Sequence, residues 1–299
     1  NAKGGNFVLI PEDTHTTQTV AVTAATKLIT VDRVAAIIGP TWDEDTAAVA
    51  PLAEQHNIVM ISPSISEGVE AEVNYDYVFT TWYSDISAVK KLASYITAQG
   101  HERIAIVYNL NTWATFQKNL FEKETTADLE AFATSNQVQD FRTILLKIQK
   151  QADAMYVAFT SDETLLPFLK QAQELGLEIP IFTGHQTESE EMLTWQQTYS
   201  GGVYHPYPKQ TESNKGFVER FTARYGQPPS GPSAAPAYDA ARMVITGLRQ
   251  DPPLQQWLTT ADIEGITIPR IRFTSKGMVD AGPEAFDVRK ATPQGFVSV

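Results

Sequence analysis

Five histidines, 35 acidic residues and no cysteine are the raw material for chemistry in this chain of 299 residues. His15, His56, His101, His185 and His205 form no H-x-x-x-H or H-E-x-x-H pair, so the spacing that presents two imidazoles to zinc is absent. Without cysteine there is no thiol nucleophile, disulfide or thiolate metal site. The phosphate-cradling G-x-x-x-x-G-K-[ST], the nucleophile elbow G-x-S-x-G and a G-x-G-x-x-G following a strand are all missing. Gly4-Gly5 and Gly201-Gly202 read as turns. Among so many acids a pair of carboxylates carries no catalytic meaning without geometry. Nothing in these residues implies a metal or a cofactor. One junction stands out: in "AAIIGPTWDEDTAAVAPLAE", residues 35–54, an apolar strand ends at Gly39-Pro40, and an indole and three acids precede the next helix.

The elements that position such junctions alternate along most of the chain. Apolar runs suited to strands are Asn6 to Ile10, Val34 to Ile38, Val59 to Ser62, Arg103 to Tyr108, Ala154 to Phe159, Pro180 to Thr183 and Gly202 to His205. Helical periodicity covers Thr16 to Thr30, Asp45 to His56, Ile86 to Gln99, Trp113 to Asp128, Asp140 to Gln149, Glu163 to Leu175 and Glu190 to Thr198. Helical segments of this length between near-continuous apolar strands predict βαβ units and parallel sheets covered on both faces. Gly100 and Gly176 stand where helices should stop. Two further helices, Ser213 to Tyr225 and Ala234 to Arg249, flank the loop-like "GQPPSGPSAAP". Three short strand-like pieces follow: Ile271 to Phe273, Phe286 to Arg289 and Phe296 to Val299. Residues 76–86 and 200–213 suit crossovers, and two crossings imply two α/β lobes that each use non-adjacent stretches of chain. Facing α/β lobes open a ligand cleft at the carboxyl ends of their strands.

Composition narrows the partners. Hydrophobic residues make up 42% and charged residues 19%, a globular balance. The net charge of −12 argues against nucleic acid and anionic membrane surfaces. No apolar run reaches transmembrane length, and the opening "NAKGG" carries no signal-peptide pattern, so export would require a signal removed from this sequence.

The series of motifs resembles the type I periplasmic solute-binding proteins, nearest the leucine/isoleucine/valine-binding branch. It runs through "VAAIIGPTWDEDTAAVAPLAEQHNIVMISPSIS", "YVFTTWYSD", "RIAIVYNLNTWATFQKNLFEKE", "DFRTILLKIQKQADAMYVAF", "SGGVYHPY", "FVERFTARYGQPPSGPSAAPAYDAARMVITGL" and "IRFTSKG". Each motif is weak alone, but the ordered series spans essentially the whole chain. The resemblance implies two Rossmann-like lobes joined by crossover strands, residues 1–84 with 210–268 and residues 85–209 with 269–299. It further implies a monomeric extracytoplasmic protein, periplasmic or extracellular and compatible with a lipid anchor. Such a protein closes on a small-molecule ligand and delivers it to the membrane permease of an ABC importer. A receptor or regulator sensor domain uses the same fold. An enzyme on this scaffold would need a base and nucleophile in contact. The family begins with a strand, a loop and a helix, and "NAKGG" resembles the end of that helix. The resemblance therefore places the first strand and helix of lobe 1 outside this chain, with the strand between Asn6–Ile10 and Val34–Ile38, supplied by another segment or chain.

The same resemblance marks the ligand contacts. Ser64 and Ser66 stand where the loop after "SP" offers hydroxyls and amides, a cradle for a carboxylate, though a serine there also serves as an ordinary helix cap. Asp43 falls where the family's usual serine would be. Either it meets a cationic or hydroxyl-rich ligand, or Asp43 or Asp45 simply caps the helix, whose dipole stabilises the acids. Trp42 is either a cleft wall or a surface indole. Trp113 stands where an aromatic stacks on the ligand, or packs at a helix start. Ser161 and Asp162 follow a second-lobe strand, Asp162 as a natural cap. Gln186 replaces the acid that amino-acid binders use for the ligand ammonium, with His185 beside it as a substitute. A neutral amide can hydrogen-bond but cannot neutralise charge. Asp239 in "AYDAA" reads as structural.

Overall fold

The computed structural model describes residues 6–67, 75–184, 188–229 and 233–299. The chain divides into two compact units, Asn1–Ser84 with Lys209–Ala281 and Asp85–Pro208 with Gly282–Val299.

The first unit is built on three parallel strands, β1 (Ala36–Ile38), β2 (Val59–Ser62) and β3 (Val78–Thr80), in the order β1-β2-β3. Helices α1 (Gln18–Thr30) and α2 (Asp43–His56) pack against this sheet through Ala21, Ala25, Ile29, Val49, Ala50 and Ala53, which bury Ile37 and Met60. The second half of the unit holds α8 (Glu212–Tyr225), α9 (Ala234–Gly247), the short α10 (Leu254–Leu258) and an antiparallel pair, β9 (Ile263–Glu264) with β10 (Arg270–Ile271). Residues 269–281, expected with the other lobe, belong here. The Thr80 amide donates to the Gly277 carbonyl at 2.9 Å, and Phe273 packs its ring on Phe79 at 5.1 Å. Asn6–Ile10 does not form the expected strand. Val8 and Leu9 are 82% and 81% exposed, and no strand among the described residues pairs with them. Apolar residues alone do not make a strand, because its amides need a ladder partner.

The second unit is a seven-stranded sheet in the order β12-β11-β8-β7-β6-β4-β5. Its strands are β4 (Arg103–Asn109), β5 (Asp128–Thr134), β6 (Ala154–Ala158), β7 (Ile181–Thr183), β8 (Val203–Pro208), β11 (Phe286–Thr292) and β12 (Gly295–Ser298). β4 to β8 run parallel, and β11 and β12 join antiparallel at one edge. Alternation along each strand divides the core. Ala105, Val107, Met155 and Val157 point to α5 (Arg142–Gln151), α6 (Asp162–Glu174) and α7 (Glu190–Gln196). Ile104, Ile106, Tyr156 and Ala158 point to α3 (Asp85–Ala98) and α4 (Thr112–Glu124). Phe121 stacks on Tyr156 at 4.2 Å, whose hydroxyl donates to Gln117 Oε1 at 3.0 Å, while Gln117 Nε2 donates to Asp85 at 2.9 Å. The helix expected to run to Asp128 ends at Glu124, and Asp128 opens strand β5, for which no element was expected. "DLEAFAT" is mostly exposed, with only Leu129, Phe132 and Thr134 partly or fully covered, as befits an edge strand. Among the described residues no helix is long and apolar enough to cross a membrane.

One glycine carries the closure of the first unit. Gly277 has φ +74°, and a Cβ there would collide with the carbonyl oxygen of Val78. Gly277→Ala is expected to lower stability by about 2–4 kcal/mol through backbone strain and overpacking. Urea unfolding monitored by circular dichroism measures it, and an unchanged midpoint would contradict this role.

Candidate functional site

Both units gather polar side chains at the carboxyl ends of their parallel strands, where ladder bonding stops and backbone groups need other partners. In the first unit two loops meet there, 39–43 after β1 and 62–66 after β2. Ser62 Oγ donates to the Pro40 carbonyl at 2.8 Å, and Ser64 Oγ donates to the Thr41 carbonyl. Asp43 completes the seam. Its Oδ1 accepts the Ser66 amide at 2.8 Å and its Oδ2 accepts the Ser66 hydroxyl at 2.5 Å.

Asp43 therefore does not cap α2. Trp42 occupies the cap position without a side-chain cap bond, and Asp43 opens the helix as its first residue. With its carboxylate reaching across to Ser66, Asp43 is only 6% exposed. Burial pushes Asp43 above the usual carboxylate range, the Ser66 bonds oppose this, and Glu44 adds to it. Asp45 is buried too, and is pushed up by desolvation against a 3.4 Å hydrogen bond from the Thr14 hydroxyl. Asp43, Glu44 and Asp45 all fall in the first turn of α2, where its dipole favours negative charge. Trp42 is 49% exposed and borders an open depression of about 520 Å³ with Thr16, Thr17, Gln18, Thr19, Glu44 and Asp45.

In the second unit amides take the part that hydroxyls play in the first. Buried Asn109, at the end of β4, donates to Thr134 Oγ at 3.2 Å and accepts the Thr160 amide at 3.4 Å. Asn111 caps α4 by accepting the Ala114 amide at 2.9 Å. Trp113 follows within α4, half-buried against the apolar cluster beneath that helix. Ser161, exposed, occupies the cap position of α6 and lies 3.4 Å from Thr164 Oγ. Asp162 is the first residue of that helix rather than its cap, and accepts the Ser189 hydroxyl at 2.9 Å. Burial raises its pKa, the Ser189 bond opposes this, and Glu191 adds to it. His185 and Gln186 lie outside the described residues. Asp239, in the first unit, is fully buried and accepts the amides of Ile266 and Thr267 at 3.0 and 2.9 Å, with Arg242 at 3.5 Å.

Sequence reasoning missed a charge cluster in the second unit. Glu188 receives Arg289 Nη1 at 2.8 Å and the Nε2 of fully buried His205 at 2.8 Å. The Arg289 guanidinium lies 5.0 Å from the Tyr207 ring and donates to the Phe296 carbonyl at 2.7 Å. Burial beside Glu188 pushes Tyr207 up to about 12, with Arg289 opposing. The only sequence signal is the register pairing of His205 with Arg289 across β8 and β11, which needs the topology first. Among the described residues, no group of three or more His, Cys, Asp or Glu could hold a metal.

With this geometry in view, the chain matches the family described as Periplasmic binding protein over residues 1–268. The chain belongs to that family. It is 23% identical over 241 residues to the leucine-, isoleucine-, valine-, threonine- and alanine-binding protein of Pseudomonas aeruginosa, covering 77% of this chain. The match spans 63% of that relative's length. An ABC transporter substrate-binding protein from Sphaerobacter thermophilus superposes with a TM-score of 0.86 at 20% identity, covering 98% of this chain and 85% of that one. The branched-chain amino acid substrate-binding protein LivJ of Streptococcus pneumoniae, in complex with isoleucine, superposes at 0.81 with 21% identity, covering 97% and 86%. The two-lobed type I fold implied by the sequence motifs is thus that of its structural neighbours.

Two outcomes follow from the charges. A carboxyl with a raised folded-state pKa favours folding below its unfolded pKa, and that contribution is lost as pH rises through the folded value. Asp43→Asn is therefore expected to flatten the fall in thermal midpoint as pH rises above the ordinary carboxylate range. An unaltered slope in pH-dependent melts would count against it. Arg289→Met leaves Glu188 without its cation, and is expected to cost about 2–4 kcal/mol. Denaturant unfolding reads that loss.

Proposed function

We propose that this chain is the ligand-binding part of a non-enzymatic, monomeric, extracytoplasmic solute-binding protein. It captures a small polar solute of amino-acid type and delivers it to the membrane permease of an ABC importer. The observation that carries the reading is family membership over residues 1–268, in a chain whose strand-end loops concentrate polar groups in both units. The Pseudomonas relative is named for five amino acids and the pneumococcal neighbour is in complex with one, which supports an amino-acid-like ligand. Trp42, Asp43, Ser64, Ser66, Trp113 and Ser161, with His185 and Gln186, are the proposed contacts. Trp113 offers only part of its indole to a ligand, since the rest packs on the core of its own unit.

Binding rather than turnover also suits the hydrogen bonds. Among the described residues no histidine joins the acid–hydroxyl pairs Asp43–Ser66 and Asp162–Ser189, so neither shows a nucleophile, base and orienting group in sequence. A thermal-shift screen against amino acids, amino-acid amides and polyols tests the reading. A ligand that binds only the folded state stabilises it by about 2.7 kcal/mol at a hundredfold excess over Kd. A rise of several degrees with one class is expected, and no rise with any class would refute solute binding.

A further inference from the structure

A helix start asks one thing of its cap, an acceptor for a free amide. In this chain hydroxyls suffice: Ser189 caps α7 by accepting the Met192 amide, and Thr211 caps α8 by accepting that of Asn214. Asn111 does the same for α4 with its Oδ1, which accepts the Ala114 amide at 2.9 Å. Its side chain has two further protons to give, and both have takers. Nδ2 donates to Asn136 Oδ1 at 3.0 Å and to Thr160 Oγ at 3.4 Å.

Asn111 stands in the loop after β4, Asn136 in the loop after β5 and Thr160 in the loop after β6. These strands are neighbours, in the order β6-β4-β5, so one side chain ties three adjacent strand ends. Buried Asn109 spans the same loops. It donates to Thr134 Oγ at 3.2 Å and to the Ser135 carbonyl at 3.4 Å, and accepts the Thr160 amide at 3.4 Å. The bridging continues past β6. Ser189, after β7, donates to Asp162 at 2.9 Å, and Glu188 holds His205 of β8 and Arg289 of β11, each at 2.8 Å. Side chains thus link the second unit laterally, in sheet order, from β5 to β11.

Two proposed solute contacts flank this bridge. Trp113 lies two residues after Asn111, and Ser161 follows Thr160. Exposed Ser161 makes no cap bond to α6, so the loop anchored at Thr160 sets its place. Loops ordered beforehand spare a ligand the cost of ordering them. Resting on the solute-binding reading above, we infer that Asn111 is a positioning residue for the solute. The bridge made by its amide, and not its cap, holds the loops of Trp113 and Ser161 in the geometry that binds.

Asn111→Ser separates the two tasks, because serine caps as well as asparagine but is too short to reach Asn136 and Thr160. Calorimetry on the full chain uses leucine, or the compound that gives the largest rise in the thermal-shift screen. Asn111→Ser is expected to bind about tenfold more weakly, with a thermal midpoint within about a degree of the wild type. Asn136→Ala removes an exposed partner and touches no helix cap, and should weaken binding in the same direction. In a Ser161→Ala background the loss caused by Asn111→Ser should shrink to about threefold, since one of the contacts it positions is gone. Wild-type affinity in both Asn111→Ser and Asn136→Ala would overturn the inference and leave solute binding intact. A loss that appears only together with a lowered midpoint would overturn it too, as would a loss of the same size with Ser161 already removed. If no compound binds the wild type, the solute-binding reading falls, and this inference with it.

Discussion

A parallel strand that ends inside a protein leaves amides and carbonyls that no ladder satisfies, and every polar feature of this chain's functional edge answers that constraint. The first unit answers with hydroxyls: Ser62 and Ser64 reach back to the carbonyls of the neighbouring loop, and Asp43 closes on Ser66. The second unit answers with amides: Asn109 and Asn111 tie the ends of β4, β5 and β6 and start α4. In the proposed solute-binding role, the same groups that satisfy the backbone would set what charge and which donors or acceptors a solute meets. Structure and specificity are therefore one problem at these loops.

The helices and most strands were legible because local pattern and packing agree. Alternating burial on β4 and β6 divides two cores, and that alternation is written in the residues themselves. Legibility failed where one long-range partner decides the outcome. Asn6 to Ile10 is apolar enough for a strand yet has no ladder partner among the described residues. Residues 269–281 carry no marker of their unit until the Gly277 carbonyl accepts the Thr80 amide. The edge strand β5 carried no signal because its mostly exposed residues show neither a continuous apolar run nor a regular alternation.

The candidate site was legible in position but not in role. The junction at 39–46 and the loop at 62–66 do come together in the structure. What the sequence could not show is that they meet each other chemically: three acids before a helix look like caps and dipole partners, and one of them instead crosses to the next loop. The Glu188–His205–Arg289 cluster was invisible for a similar reason. Its members stand 17 and 101 residues apart along the chain from Glu188, and only the antiparallel pairing of β11 with β8 joins them.

Buried acids of different purpose can be told apart by what they hold. Asp239 is fully buried, accepts two consecutive backbone amides and has Arg242 beside it, so its charge is distributed over the fold that needs it. Its raised pKa reflects desolvation that these partners only partly offset. Asp43 is almost as buried, yet both its donors come from one serine and no cation pairs with it among the described residues. If stability alone set that position, an amide or a hydroxyl would bridge the two loops without the cost of desolvating a charge. Asp43 instead ties two loops of the first unit through a single serine, with the first-turn dipole of α2 as its compensation.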